Sequence, residues 1–136
     1  MRLSRMAPLM MVLMLGGCGW FNSSNGPLIP DAKSPISDVP VPAGFSMKGD
    51  STSQVITSSS LRVVNHRYTG SDDWLEVVAF YRAQMPTREW TFVDQSQLAG
   101  QEITLHYTKR SEDCRVSVSK RTFDTQVRVK IDPIAK

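Results

Sequence analysis

The sequence lacks most of the parts from which catalytic and metal centres are built. Histidine occurs twice in 136 residues, at His66 and His106, and cysteine twice, at Cys18 and Cys114. A metal site needs three or four converging donors, and neither histidine has a cysteine or carboxylate at a ligand spacing, so no metal or other cofactor is expected. No serine stands in a Gly-x-Ser-x-Gly elbow and no glycine-rich phosphate loop is present. Asp72 and Asp73 are neighbours, but adjacent helical residues point about 100° apart, so capping a helix explains them better than sharing a proton. Both histidines read as ordinary strand residues at or near the surface. Long apolar runs are missing too. The best, Met6 to Leu15, is interrupted by Pro8 and falls short of the roughly 20 residues needed to cross a bilayer.

A surplus of one charge is also absent once the N terminus is set aside. The formal charge is +3. Arg2 and Arg5 lie in the segment argued below to be removed, and without them the 16 basic residues become 14 against 13 acidic ones. A nearly neutral chain exerts little long-range pull on polyanions, which argues against nucleic acid as a partner.

What is present begins with two arginines, a short apolar stretch and Leu15-Gly16-Gly17-Cys18, the layout of a secretory signal. Leu15 to Cys18 resembles the lipobox of bacterial lipoproteins. The resemblance implies that residues 1–17 form a cleaved signal peptide, that Cys18 becomes the acylated first residue, and that the protein is held on a membrane by its lipid. Gly19, where an aspartate tends to mark retention at the inner membrane, implies the outer membrane facing the periplasm in a host with two membranes. With Cys18 acylated, Cys114 has no partner for an internal disulfide.

Residues 18–42 are rich in Pro, Ser, Asn and Gly and read as the lipidated cysteine followed by a flexible tether. Residues 43–136 then form one globular domain. Gly44 to Met47 and Leu61 to Tyr68 read as extended segments, with Lys48 to Ser60 between them mostly polar. A helix follows, capped at Ser71 or Asp72, with Trp74, Val78, Tyr81 and Met85 along one stripe and Leu75, Val77 and Phe80 widening it. Pro86 stops it, and Trp90-Thr91-Phe92 opens a strand. Ile103 to Tyr107, Cys114 to Val118 and Val127 to Ile131 alternate apolar with polar residues, and the short loops between them predict an antiparallel meander. The expected fold is α+β, one amphipathic helix packed on an antiparallel sheet of four to six strands in the order β-β-α-β-β-β-β. Cys114 shares the apolar face and is expected to be a buried, unreactive thiol.

The run Phe80 to Pro86 with Trp90 and a strand over Gly100 to Lys109 resembles small helix-on-sheet domains of uncharacterised bacterial lipoproteins. That resemblance implies a fold without an activity. Such sequences often have glycine just before the tryptophan. Here the residue is Glu89, which puts the turn in question.

The polar sheet face gathers His106, Arg115, Arg128 and Lys130 with Thr104, Ser117 and Ser119, a possible binding face for an envelope protein or an anionic cell-wall polymer. The reading is thus a membrane-anchored, non-enzymatic accessory or binding module of the envelope. Two alternatives stand beside it. One is a small cell-wall hydrolase, which would require a concave pocket holding His66 or His106 beside a carboxylate. The other is an abundant structural lipoprotein.

Overall fold

The computed structural model describes residues 26–56 and 61–134; the signal segment and Cys18 lie outside these. Among the described residues, seven strands and one α-helix are arranged as β1 (Ser46–Met47), β2 (Thr52–Ile56), β3 (Leu61–Gly70), α1 (Trp74–Gln84), β4 (Thr91–Leu98), β5 (Glu102–Lys109), β6 (Glu112–Lys120) and β7 (Thr125–Pro133). The α+β class and the helix on an antiparallel sheet are as expected, while seven strands exceed the four to six read from the sequence. The missed strand is β2. Its Thr52-Ser53-Gln54 start reads as polar loop, yet it pairs with β3 from Thr52↔Asn65 to Ile56↔Leu61. β1 pairs with the same edge of β3 further along, through Ser46↔Thr69 and Met47↔Tyr68. The two therefore form one interrupted edge strand.

From β4 to β7 the chain meanders, and β7 then lies against β3, giving the order β1-β3-β7-β6-β5-β4 with β2 also on β3. Period-two alternation stacks three apolar rows on the inner face. One row is Val64, Ile131, Cys114 and Tyr107; the next is His66, Val129, Val116 and Leu105; the third is Tyr68, Val127, Val118 and Ile103. All twelve are buried.

The helix crosses this face. Asp73, in extended conformation, caps it by accepting the Leu75 N–H at 2.9 Å, one or two residues later than expected. Val77, Val78, Phe80, Tyr81 and Met85 are buried and Trp74 is partly buried, whereas Leu75 points to solvent. A single 3-10 turn, Pro86–Arg88, follows, and Glu89 leaves it at φ 66°. That is the left-handed region where glycine is at ease and other residues pay about 1–2 kcal/mol.

The segment expected to be a tether up to Pro42 is, from Leu28 onward, part of the domain. Ile36, Val39 and Val41 are buried in the core, and Leu28 packs against it. Pro30 bridges Pro42 in antiparallel fashion, supported by Asp31 N–H to Val41 carbonyl at 2.8 Å and Ala43 N–H to Ile29 carbonyl at 2.9 Å. Composition misled here because prolines supply rigidity while only a few aliphatic side chains supply burial. The strap is pinned at Asp38. Its carboxylate meets Arg62 at 2.6 Å and Lys109 at 3.2 Å, its carbonyl accepts the Trp90 indole N–H at 2.8 Å, and Arg62 also meets Glu112 at 2.8 Å. Burial opposes the charge on Asp38, but the guanidinium and ammonium outweigh it and hold its pKa below the usual 3.8.

Candidate functional site

The four outer-face residues singled out from the sequence do come together. His106, Arg115 and Lys130 stand directly side by side in one row across β5, β6 and β7, and Arg128 lies in the next row beside Ser117. Most of their charge is answered within the face. His106 contacts Asp113 through Nε2 and approaches Asp94 at 3.6 Å through Nδ1. Arg115 lies 3.6 Å from Asp113 and Lys130 3.3 Å from Asp132. Arg128 has no ion-pair partner among the described residues; it faces Arg67, which is held by Asp50 at 3.0 Å.

His66 is not a surface histidine. Tertiary packing places it on the inner face, 5% exposed. Nε2 lies 2.5 Å from the Ser53 hydroxyl and Nδ1 2.8 Å from the Tyr68 hydroxyl. Desolvation lowers its pKa below the ordinary 6.5, so the imidazole is neutral at pH 7. Its partners are hydroxyls and not a carboxylate, so it does not supply the pairing a cell-wall hydrolase would require. Cys114 is fully buried, and burial pushes its thiol far from ionisation. Both nitrogens of His66 are already engaged, so neither leads to a thiolate–imidazole pair.

The open part of the inner face is the side of the helix facing β4. Every residue of β4 is exposed, including those directed to the inner face: Phe92, opposite Tyr107, and Gln95 and Gln97, opposite Leu105 and Ile103. The register slips between Phe92 and Asp94, a bulge that re-aims the strand start. Between helix and strand lies a hollow of about 230 Å³ lined by Arg82, Phe92 and Tyr107. The rings of Phe92 and Tyr107 meet edge to face, 5.7 Å between centroids and at 71°. Phe92 remains 47% exposed while Tyr107 is buried. The Arg82 guanidinium reaches across to the Gln95 side-chain carbonyl. Burial pushes the Tyr107 phenol up to about 12, with Arg82 pulling the other way, and its hydroxyl donates to the Tyr81 carbonyl at 3.3 Å. One cation, one open aromatic face and an amide therefore converge on an open cleft floored by buried Tyr107, a combination suited to an aromatic or apolar body carrying an anionic or acceptor group.

A larger hollow of about 720 Å³ lies at the helix N-terminal end, lined by Trp74, Gly100, Lys120, Arg121 and Phe123 among others. In the sequence Phe92 reads only as part of the opening of a strand, and nothing in the local pattern singles out Arg82. The signal that could have found the cleft is the polarity of Gln95 and Gln97, inward positions with no apolar side chain to bury.

Set against known proteins, a family model described as START domain-like matches residues 49–129, from the β1–β2 connection into β7. No curated protein and no solved structure matches the chain.

Proposed function

The chain belongs to the START domain-like family, and from that premise we propose that it is a non-enzymatic ligand-binding module whose ligand sits in the cleft between α1 and β4. START-like domains are generally ligand-binding and not catalytic. The observation that carries the reading is the uncovered inner face of β4, where Phe92 stays half exposed beside the Arg82 guanidinium. A folded domain of this size otherwise gains by covering such a ring, since burying one is worth about 1.5–3 kcal/mol. The module is carried on the envelope by lipid on Cys18, at the outer membrane in a two-membrane host.

Anilinonaphthalene sulfonate, an aromatic body with one anionic group, serves as the probe. The parent should bind it saturably at one site. Arg82→Ala should weaken binding about tenfold, the loss of one charge-assisted hydrogen bond of about 1.5 kcal/mol, without shifting the unfolding midpoint. Undiminished binding by Arg82→Ala and by Phe92→Ser would remove the cleft from consideration. For the anchor, Cys18→Ser should release the protein from the membrane fraction, and a variant as firmly membrane-bound as the parent would sink the lipid reading.

A second reading rests on Arg128. Like charges directly opposite on neighbouring strands destabilise a sheet, and an anionic group on an envelope protein or cell-wall polymer would relieve its opposition to Arg67. Arg128→Ala should then weaken retention on immobilised cell-wall polymer, and equal retention by parent and variant would dispose of this reading.

A further inference from the structure

The end of the domain that holds the β4–β5 and β6–β7 turns and the start of the helix carries large apolar side chains in the open. Phe123, in the β6–β7 turn, is 96% exposed, Leu98 is 69% exposed and Leu75 is 54% exposed, and Trp74 lines the same hollow as Phe123. Lys120 and Arg121 stand beside them, with Asp124 3.5 Å from Arg121. Exposed aromatic and aliphatic tips flanked by long basic side chains are the composition of a surface that enters the boundary between lipid headgroups and acyl chains.

The course of the N-terminal strap shows which end the preceding chain leaves from. From Asp38, pinned by Arg62 and Lys109 at the opposite end of the sheet, the chain runs to Phe45, whose ring packs against Gly70 at the last residue of β3. The Pro30↔Pro42 bridge is antiparallel, with Ala43 bonded to Ile29. Traced backwards from Pro30, the chain therefore heads toward the end that bears Phe45, Trp74 and Phe123, and Gly26 to Leu28 share a hollow with the helix face from Glu76 to Gln84. Eight residue steps separate Cys18 from Gly26, a reach of at most about 28 Å. A domain of roughly 100 residues is about 35 Å across. An anchor that short, leaving from that end, turns it toward the bilayer.

We infer that the end bearing Trp74, Leu75, Leu98 and Phe123 is a membrane-contact surface, seated on the lipid bilayer to which Cys18 is attached. The inference rests on the anchoring reading above. Basic and acidic groups are mixed at this end, so the surface suits zwitterionic headgroups as well as anionic ones.

The full-length lipidated chain, reconstituted in phosphatidylcholine vesicles, provides the test. Cys114 is buried and Cys18 is acylated on this reading, so an introduced cysteine is the only reactive thiol. Thr122→Cys beside Phe123, and Ser111→Cys at the opposite end, are each labelled with a polarity-sensitive dye. Nitroxide carried on the lipids should quench the label at position 122 at least about threefold more than that at 111, as expected for insertion at the headgroup boundary. Adding Phe123→Ser to Thr122→Cys should reduce that difference. A chain that floats with the vesicles while both labels stay equally open to aqueous iodide overturns the contact surface and leaves the anchor standing. A chain that does not float overturns the anchor, and this surface with it.

Discussion

Two buried hydroxyl and imidazole groups make single residues informative. The Tyr81 hydroxyl is fully buried with no hydrogen-bond partner among the described residues, and an unmade bond of that kind costs about 1–3 kcal/mol. Tyr81→Phe keeps the ring and should raise stability by up to about 1 kcal/mol in denaturant unfolding. A loss of stability would mean that the hydroxyl has a partner, such as a water. His66 makes the domain sensitive to mild acid. Its folded pKa lies below the ordinary 6.5, so the unfolded chain takes up the proton first. Stability is therefore complete above pH 6.5 and declines as pH falls through that value. Asp38, whose folded pKa lies below 3.8, adds a second decline only as pH drops from 3.8 toward that lower value. Unfolding midpoints measured across pH should lose the first decline in His66→Gln and keep the second; an unchanged slope between pH 7 and 5 would contradict the assignment. Neither group's role was legible in the sequence. His66 falls on the same face as Val64 and Tyr68, and its polarity reads as a surface position; what holds it in the interior is the hydroxyl of Ser53, on the neighbouring β2, and that of Tyr68, the first a contact with no local pattern.

Among the elements, the helix and the three clean strands were readable because one face of each is apolar at the right period. The helix is less evenly loaded than its stripe implied. Trp74 lies at its end and is only partly buried, so Trp74→Ala should cost less than the 3–5 kcal/mol typical of a buried tryptophan. Asp73→Ala should cost about 1 kcal/mol, the usual loss of an N-cap. The turn before β4 gives a prediction of opposite sign. Glu89 sits at φ 66° in a place where glycine would be unstrained, so Glu89→Gly should stabilise the domain by about 0.5–1 kcal/mol. A lower thermal midpoint would mean that its 3.8 Å approach to Lys109 outweighs the strain. At Gly70 the reverse applies. An added Cβ would lie 2.5 Å from the Phe45 ring, so Gly70→Ala should cost about 1–3 kcal/mol through displacement of that ring. β2 was missed because an edge strand with one partner need not alternate.

At the scale of the molecule, the N-terminal strap decides where the folding unit begins. Ile36, Val39 and Val41 are each at most 6% exposed, and burying such side chains is worth about 1.5–3 kcal/mol apiece. Their sum is comparable with the whole stability of a small domain, about 5–15 kcal/mol. A chain starting at Ala43, the boundary that composition predicts, should be largely unfolded, whereas one starting at Gly26 should unfold cooperatively. Equal stability of the two would restore the tether reading. The sheet order has a consequence for how the chain is made and moved. β7, the final strand, is the seam that joins β3 on one side to β6 on the other, through pairs such as Val64↔Ile131 and Cys114↔Ile131. Until it arrives, the strap, β1, β2 and β3 have no sheet to complete, and such distant pairings form slowly. A polypeptide paid out from its N terminus therefore keeps its sheet unclosed until its last strand emerges.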